Sequence, residues 1–402
     1  MITQPSSTPP EFAFDYRTSE SGHKKLYFPA ISFSDIHLGT HASRAKRLCK
    51  LMDHLAVDNM FLVGDIIDGV AIRHKNTFHF GGPWHRQVLG HIFRAAATGT
   101  HVTYILGNHD HVGTGKEIPH PETPDSFMHH RKLVGKAVKG VAIAEQVIYT
   151  NSQGDKIHFS HGHEAESTPD IWYHVGDFLL YTMQDLDRWM QSKFPSLREH
   201  SIAALAKRAF KTVYLPLMKV FQNIETRMEM DNIDKKVFGH SHVAGIKHTK
   251  SGRLIMNDGC CTEHVQFWAQ DRNGTNAVMT MHADYLKIQD EHGREYIRTW
   301  TDLGLSDRMK EAPQVHHDDH TRTAQHIERL IYRAYPSQDR RTMAAEIKRR
   351  NQMTRDFNPR NDQLENLEEQ ALAVHLEELR KLRESYRHVP VPRPDYPKKS
   401  PN

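Results

Sequence analysis

The chain has 402 residues, enough for one large domain or two to three ordinary ones, and its 38% hydrophobic and 25% charged residues are typical of a globular protein. A formal net charge of +4 is too mild to indicate a nucleic-acid partner, and none is expected. The absence of any apolar run of about 18 residues argues against a membrane-spanning helix. The N-terminus lacks the pattern of a secretory signal, and three sparse cysteines do not predict a disulfide framework, so we expect a cytoplasmic protein.

The first half of the chain alternates between strand and helix patterns. Residues 1–24, rich in Ser, Thr and Pro, are expected to form a disordered tail. The following segments alternate: strand 26–33, helix 44–57, strand 59–65, helix 84–99 and strand 101–108. This βαβαβ order predicts neighbouring parallel strands with right-handed crossovers, and therefore an α/β fold. Two more strands are predicted at 142–150 and 156–160.

The second half of the chain begins with a helical insertion. Residues 170–232 carry apolar side chains at helical spacing and lack β-type alternation. Strand patterns return between residues 235 and 300, and the charged region that follows predicts helices at 321–334, 340–352 and 362–386. We therefore predict a main domain at 25–304 that contains the insertion, a charged helical extension at 305–386 and a second disordered tail at 387–402.

Five predicted strands end in polar clusters. The clusters are Asp35-Ile36-His37, Gly64-Asp65-Ile66-Ile67-Asp68, Gly107-Asn108-His109-Asp110, His161-Gly162-His163 and Gly239-His240-Ser241-His242. In an open α/β sheet, ligands bind at the carboxyl ends of the parallel strands, so we expect these clusters to converge. The side chains that could hold a metal are Asp35, His37, Asp65, Asn108, His161, His240 and His242.

This ligand set indicates two metal ions. Carboxylate, imidazole and amide groups suit divalent ions such as Mn²⁺, Zn²⁺ or Fe²⁺. Seven side chains are too many for one tetrahedral zinc site, and they suit two ions that share a carboxylate. Two ions about 3.5–4 Å apart clamp the attacking and leaving oxygens of an in-line phosphoryl displacement and lower the pKa of a bridging water. The set therefore indicates hydrolysis of a phosphoester or pyrophosphate bond.

The ordered motifs DIH, GDIID, GNHD, HGH and GHSH resemble those of the calcineurin-like metallophosphoesterases, over about residues 28–262. The resemblance implies a β-sandwich flanked by helices, and hydrolysis by a metal-bridging hydroxide. It also implies the following ligands: Asp35, His37, Asp65 and His242 for one metal, with Asp65 bridging, and Asn108, His161 and His240 to complete the second site.

The motifs contain four further polar residues outside the ligand set: Asp68, His109, Asp110 and His163. His109 matches the family's histidine that contacts the phosphoryl group and can protonate a leaving oxygen, and we expect Asp110 to orient His109. Asp68 lies one step outside the ligand pattern, and its position fits either support of the ligands or a helix cap. His163 is expected to be a polar neighbour of the site.

The stretches FSDIHLGT, FLVGDIIDG and YILGNHD are most similar to the UDP-2,3-diacylglucosamine hydrolase subgroup, which acts in lipid A synthesis. This similarity implies cleavage of the pyrophosphate of a UDP-linked glycolipid, with Mn²⁺ as the ion and Zn²⁺, Fe²⁺ or Mg²⁺ as alternatives. It also implies that the insertion at 170–232 is a lid over acyl chains, at the inner face of a membrane. The alternative is that the insertion packs on the main domain. His109 departs from the subgroup, which often has arginine there, and HGH stands in place of HGD.

Two other functions stay open from the sequence. One is a phosphodiesterase or phosphatase for soluble nucleotides or phosphoproteins. The other is a non-catalytic scaffold that binds partners through the extension, against which the complete ligand set argues. The segment His316-His317-Asp318-Asp319-His320 could bind a metal, but we expect a solvated linker there, because no second ligand cluster accompanies it in the sequence.

Overall fold

The structure, a computed structural model, describes residues 11–19, 21–40, 42–68, 83–110, 140–163 and 220–334. The chain divides into two units, Met1–Asp339 and Arg340–Asn402, and every described residue lies in the first. The predicted helices at 340–352 and 362–386, the tail at 387–402 and most of the insertion at 170–232 therefore lie outside the described residues. Among the described residues, no helix combines the length and the apolar character needed to cross a membrane.

The described residues form two sheets and several helices. In chain order the strands are β1 (Asp15–Thr18), β2 (Lys24–Phe33), β3 (Leu55–Val63), β4 (His101–Ile105), β5 (Val141–Ala144), β6 (Gln146–Thr150), β7 (Lys156–Ser160), β8 (Lys235–Phe238), β9 (Gly245–His248), β10 (Leu254–Asn257), β11 (Val265–Gln270), β12 (Asn276–Met281), β13 (Tyr285–Asp290) and β14 (Glu295–Thr299). The helices are α1 (Ala45–Met52), α2 (Pro83–Ala97), α3 (Val220–Met230), α4 (Ser306–Lys310) and α5 (Asp319–Ala334).

The larger sheet has the order β14-β13-β12-β11-β2-β3-β4-β5, and β1 pairs with β2. Strands β2 to β5 are parallel neighbours, as the βαβαβ pattern predicts. Strands β11 to β14 form an antiparallel meander on the other side of β2. The last four residues of β2 and of β3 are buried without interruption, which is typical of parallel strands that are covered on both faces.

The smaller sheet has the order β6-β7-β8-β10-β9, with β7, β8 and β10 parallel. The sequence predicts a single strand at 142–150, and this prediction is wrong. Residues 141–144 pair with β4 in the larger sheet, whereas residues 146–150 pair with β7 in the smaller sheet. The chain crosses from one sheet to the other at Glu145, and the β-type composition on both sides of Glu145 hides this crossing.

Aromatic side chains hold the two sheets together. Phe61 of β3 stacks on Phe159 of β7 with ring centroids 4.1 Å apart, and Trp268 of β11 meets Phe159 edge-on. A second core lies between the larger sheet and α1, α2 and α5, and Ile224 and Met228 of α3 pack on the smaller sheet. Two sheets between helical layers form the β-sandwich flanked by helices that the motif resemblance implies. Removing a core ring such as that of Phe159 should destabilise the fold by about 3–5 kcal/mol.

The first helix is shorter than the sequence predicts. The pattern over 44–57 predicts one helix, but α1 ends at Met52 and β3 begins at Leu55. The backbone N–H of Leu26 in β2 donates a hydrogen bond to the carbonyl oxygen of His54. Pairing with β2 therefore draws the end of the predicted helix into the sheet, and the tertiary contact overrides local propensity.

Part of the expected N-terminal tail is ordered. Residues 11–19 belong to the segment that the composition predicts as disordered, and for them this expectation is wrong. Asp15–Thr18 pair antiparallel with β2, and the ring of Phe12 is buried against Phe28 with centroids 6.2 Å apart. Burial of an aromatic side chain offsets the entropic cost of ordering this segment.

Candidate metal centre

The five polar clusters lie in the loops that follow β2, β3, β4, β7 and β8. The first three strands are parallel neighbours in the larger sheet, and β7 and β8 are parallel neighbours in the smaller one. Both sheets therefore present polar loops at the carboxyl ends of their parallel strands, and side chains from these loops meet there. The structure thus brings the clusters together as the strand order predicts.

The candidate ligands share an unusual backbone conformation. The angle φ lies between +49° and +62° at Asp35, His37, Asp65, His240 and His242. These are five of the six non-glycine residues with positive φ in the described parts of the chain. The left-handed conformation costs roughly 1–2 kcal/mol for an L-residue with a Cβ, and it persists where the surroundings enforce it. The concentration of this strain in the candidate ligands indicates a functional site.

Two glycines let the ligand loops approach each other closely. A Cβ atom on Gly64, where φ is +78°, would lie 2.3 Å from Nδ1 of His161. A Cβ atom on Gly107 would lie 2.3 Å from Oδ1 of Asp65. Both distances are far below van der Waals contact, so a side chain at either position would displace a candidate ligand.

Asp35, His37 and His242 form the first group of candidate ligands. Oδ1 of Asp35 lies 2.8 Å from Nε2 of His242 and 3.7 Å from Nε2 of His37. Oδ2 of Asp35 accepts a hydrogen bond from the backbone N–H of His240. Nε2 of His37 is buried and makes no hydrogen bond with any described residue. Buried polar atoms normally have a partner, and a divalent ion between this nitrogen and Oδ1 of Asp35 would supply one.

Asp65, His161 and His240 form the second group. Nε2 of His161 lies 3.2 Å from Oδ2 of Asp65 and 3.2 Å from Oδ1 of Asn108. Nδ1 of His161 lies 2.9 Å from the carbonyl oxygen of Val63 and donates its hydrogen there, so Nε2 faces the site. Burial lowers the pKa of His161, but the charge of Asp65 outweighs burial and raises it to about 10. A bound cation would take the place of that additional proton.

Asp65 lies between the two groups. Its Oδ2 is 3.2 Å from Nε2 of His161 in the second group and 3.7 Å from Nε2 of His37 in the first. Its Oδ1 accepts a hydrogen bond of 2.8 Å from the backbone N–H of His109. Burial raises the pKa of Asp65, but the neighbouring histidines, His161 first, hold it below its usual range, so the carboxylate is ionised. A carboxylate shared by two ions would occupy this position.

The carboxylate of Asp68 contacts two imidazole rings at their Nδ1 atoms, on the side of each ring opposite Nε2. Its Oδ2 lies 2.9 Å from Nδ1 of His37, and its Oδ1 lies 3.2 Å from Nδ1 of His109. Of the two roles that its sequence position allows, these contacts favour support of the ligands. A carboxylate on the far nitrogen fixes the orientation of a metal-binding histidine and makes it more basic. The sequence signal that could have indicated this role is the position of Asp68, three residues after Asp65 and in the same loop.

Asp110 does not have the expected role of orienting His109, and this prediction is corrected. Its carboxylate accepts hydrogen bonds from the backbone N–H groups of residues 65–67 at 2.7–3.0 Å, from the N–H of Gly107 and from the hydroxyl of Tyr104. These N–H groups follow β3 and β4 and have left the sheet ladder, so they need an acceptor. Asp110 therefore holds the loop that carries Asp65.

His109 and His163 lie beside the two ligand groups. Nε2 of His109 is 4.0 Å from Oδ2 of Asp65, and 12% of the His109 side chain is exposed. The ring of His163 lies 5.5 Å from the ring of His161, centroid to centroid. His163 is therefore a polar neighbour of the second group, as the sequence predicts.

Residues 28–244 match the sequence profile of one protein family, the calcineurin-like phosphoesterases. No curated protein is significantly similar to the chain in sequence. The solved structures similar to it include a dimetal phosphatase from Danio rerio (10% identity, TM-score 0.32, covering 68% of this chain and 99% of that chain), Vps29 in complex with Zn²⁺ from Entamoeba histolytica (12%, 0.31, 67% and 96%) and a 5'-nucleotidase from Candida albicans (10%, 0.33, 81% and 60%). At these identities the likeness concerns the fold alone.

Proposed function

Because this chain belongs to the calcineurin-like phosphoesterases, and is a hydrolase that acts on phosphoester bonds, we propose that its site holds two divalent ions that share Asp65. The observation that carries the proposal is the position of Asp65 Oδ2, 3.2 Å from Nε2 of His161 and 3.7 Å from Nε2 of His37. These two imidazoles belong to different ligand groups, so one carboxylate oxygen faces both groups.

The candidate ligands divide between the two ions. One ion would be held by Asp35, His37 and His242, the other by Asn108, His161 and His240, and both by Asp65. Nε2 of His37 supports the fit, because it is buried without a hydrogen bond among the described residues. Mixed oxygen and nitrogen donors suit Mn²⁺ or Zn²⁺. Two ions of this kind supply hydroxide near neutral pH and neutralise charge on the phosphoryl oxygens.

His109 is proposed to contact the phosphoryl group and, where the leaving group is an alkoxide, to protonate it. Its Nδ1 faces Oδ1 of Asp68 at 3.2 Å and donates its hydrogen there, so Nε2 is the nitrogen that can reach the substrate. As the attacking oxygen bonds to phosphorus and the bond to the leaving oxygen breaks, Nε2–H of a protonated His109 passes its proton to that oxygen. The carboxylate of Asp68 stabilises the protonated ring before the transfer.

For the substrate we propose the pyrophosphate of a UDP-linked glycolipid. The support is the similarity of FSDIHLGT, FLVGDIIDG and YILGNHD to the UDP-2,3-diacylglucosamine hydrolases. The same proposal includes contact with acyl chains, at the inner face of a membrane, through the insertion at 170–232. Only the end of this insertion, α3, lies among the described residues.

A second candidate is a phosphatase or phosphodiesterase for soluble nucleotides or phosphoproteins. The observation that favours it is His109, which takes the place of the arginine common in glycolipid hydrolases. Cleavage of a pyrophosphate releases a phosphate ester, which departs without a proton near neutral pH. An alkoxide does need a proton, so an acid at this position is of more use with an alkyl ester.

The test is UMP release from UDP-2,3-diacylglucosamine by the metal-depleted full chain, with and without added Mn²⁺. Hydrolysis of bis-p-nitrophenyl phosphate is the positive control. Mn²⁺-dependent release of UMP supports the glycolipid substrate. Hydrolysis of the control ester alone keeps the two-ion site and rejects the glycolipid in favour of a soluble phosphoester. Failure to hydrolyse either compound with Mn²⁺, Zn²⁺ or Fe²⁺ contradicts both proposals.

A further inference from the structure

A second cluster of metal-ligand side chains lies at the other end of the parallel strands. Asp53 follows α1, His91 lies in α2, and His316 lies in the extension before α5. Asp53 precedes β3, whereas Asp65 follows it, and the nine residues of β3 at about 3.3 Å each separate the two carboxylates by roughly 30 Å. The cluster is therefore distinct from the candidate metal centre.

The three side chains meet at distances that suit a cation between them. Oδ1 of Asp53 lies 3.4 Å from Nε2 of His91 and 3.3 Å from Nε2 of His316. Ligand atoms about 2.0–2.1 Å from a tetrahedral Zn²⁺ are roughly 3.3–3.4 Å from one another. A direct charge-assisted hydrogen bond from nitrogen to a carboxylate is shorter, about 2.7–2.9 Å. The two observed separations are compatible with edges of a zinc polyhedron, and the one from His316 also lies within the range of a long hydrogen bond.

One of the three ligand atoms is buried without a partner. His91 is 8% exposed, and its Nε2 makes no hydrogen bond in the described part of the chain. A cation bound at Nε2 would satisfy this nitrogen.

The surroundings of His91 can adjust to a cation. NH1 of Arg94 lies 3.1 Å from Nδ1 of His91, and because a guanidinium only donates, Nε2 carries the hydrogen of the neutral ring. Binding of a cation at Nε2 moves that hydrogen to Nδ1, so NH1 of Arg94 must give up its contact with Nδ1 and turn away. Nε and NH2 of Arg94 can remain with Oδ2 of Asp318, which they contact at 2.8 and 2.7 Å.

The backbone of the extension is held in place beside this cluster. Nε2 of Gln87 in α2 donates to the carbonyl oxygen of His316 at 2.7 Å, and Oε1 of Gln87 accepts from the N–H of His316 at 3.1 Å. The N–H of Gln314 donates to Oδ2 of Asp53, which leaves Oδ1 to face the two imidazoles. These contacts hold the backbone of His316, and its ring nitrogen Nε2 reaches Oδ1 of Asp53 at 3.3 Å in a long hydrogen bond.

We propose that Asp53, His91 and His316 bind a Zn²⁺ ion that fixes the segment around His316 to α2 and to the end of α1. Two imidazoles and one carboxylate are an established zinc ligand set, and the 28% exposure of the His316 side chain leaves a fourth position for water. The sequence predicts a solvated linker around His316, because no second ligand cluster accompanies this segment in the sequence. The partners of His316 are distant in the chain, and Asp53 is 263 positions away. Folding brings them together, and the proposal does not depend on the proposed function.

The test compares His316→Gln with His317→Gln in the full chain. Glutamine can still donate a hydrogen bond to Asp53 but is a poor zinc ligand, and His317 is the matched control because it lies next to the cluster without joining it. After equilibration with Zn²⁺ and removal of free ion, atomic emission should find one Zn²⁺ fewer per chain in His316→Gln than in the wild type. His317→Gln should keep the wild-type zinc content. Ions in the candidate metal centre are common to all three proteins, so they do not affect the difference between them.

Thermal unfolding provides a second measurement. Excess Zn²⁺ should raise Tm of the wild type and of His317→Gln by roughly 5 °C more than that of His316→Gln. Equal zinc content and an equal Tm response in the wild type and His316→Gln would overturn the proposal. If His316→Gln already has a lower Tm than the wild type in chelator, the substitution has destabilised the fold without metal. The zinc measurement is then made on Asp53→Asn, which removes the charge of the side chain and keeps its shape. A full zinc complement in Asp53→Asn then also overturns it.

Discussion

Oδ1 of Asp68 lies 3.2 Å from Nδ1 of His109. The other carboxylate oxygen of Asp68 lies 2.9 Å from Nδ1 of His37. One buried carboxylate therefore orients a candidate metal ligand and the imidazole proposed to protonate the leaving group. The two parts of the site are coupled through this side chain, which the motif resemblance left outside the ligand set.

Asp68→Asn should lower kcat/KM for bis-p-nitrophenyl phosphate about 10–100-fold. The amide cannot accept from Nδ1–H of both rings, so the orientation and basicity of both imidazoles change. Steady-state kinetics together with metal analysis would check this. Asp58→Asn is the control, because Asp58 pairs with Arg17 at the surface and should behave as the wild type. Unchanged kinetics in Asp68→Asn would show that Asp68 has no supporting role.

Asp65→Asn should remove the ligand common to both ions. Because Oδ2 of Asp65 faces His37 and His161, we expect the metal content to fall by at least one ion per chain and turnover to fall by a factor on the order of 10³ or more. Asparagine tolerates the positive φ of this position, so the fold should persist. Far-UV circular dichroism tests the fold, and Asp58→Asn, whose carboxylate pairs with Arg17 at the surface, is the control. Retention of two ions and of full turnover would reject the shared-carboxylate proposal.

The candidate ligands could be predicted from the sequence because each follows a strand of a recognisable βαβ pattern. Asp35, Asp65 and Asn108 come from parallel neighbours in one sheet, so local patterns and one rule about strand ends were sufficient. The role of Asp110 could not be predicted in this way. It depends on which backbone N–H groups leave the sheet ladder, and the sequence does not show that.

Contacts across the fold were also hidden in the sequence. The crossing at Glu145 depends on which sheet each neighbouring segment joins, and both segments have the same β-type composition. The approach of His316 to Asp53 joins residues 263 positions apart. No periodic pattern links such residues, because periodicity reports only the face of a single element.

Gly64→Ala should disrupt the second ligand group, and Gly252→Ala is its matched control. Both glycines have positive φ, +78° and +82°, but a Cβ on Gly64 would lie 2.3 Å from Nδ1 of His161, whereas no described atom lies within 4 Å of a Cβ on Gly252. Gly252→Ala should cost only about 1 kcal/mol of unfolding free energy. Gly64→Ala should cost at least about 2 kcal/mol more and lose metal. Urea unfolding would measure the loss of unfolding free energy in both variants, and metal analysis their metal content. An equal loss of unfolding free energy would show that the close approach of Gly64 to His161 does not require glycine.

His54 should make the stability of the protein depend on pH. Burial, helped by the charge of Arg308, lowers the pKa of His54 to about 4, whereas histidine in an unfolded chain has a pKa of about 6.5. Between these values the unfolded chain binds a proton that the folded chain does not. Stability from His54 is therefore fully present above pH of about 6.5 and is lost as the pH falls toward 4, by about 2 kcal/mol between pH 7.5 and pH 5.

Urea unfolding at pH 5 and pH 7.5, in chelator, would test this dependence. His54→Gln keeps a hydrogen-bond donor but does not titrate, so the difference in unfolding free energy between the two pH values should be smaller in His54→Gln than in the wild type. All other groups contribute equally to both proteins. An identical pH dependence in the two proteins would mean that His54 titrates normally in the folded chain.

His109→Gln should distinguish the two candidate substrate classes through the leaving group. If Nε2 of His109 donates a proton, its loss should lower kcat about 10²–10⁴-fold for esters with an alkyl leaving group. Esters of p-nitrophenol should lose tenfold at most, because p-nitrophenolate departs without a proton. His163→Gln, which removes a neighbouring ring 5.5 Å from His161, should leave this ratio unchanged. An equal loss for both kinds of ester would mean that His109 binds the phosphoryl group without protonating the leaving oxygen, a result that suits a pyrophosphate substrate better than an alkyl ester.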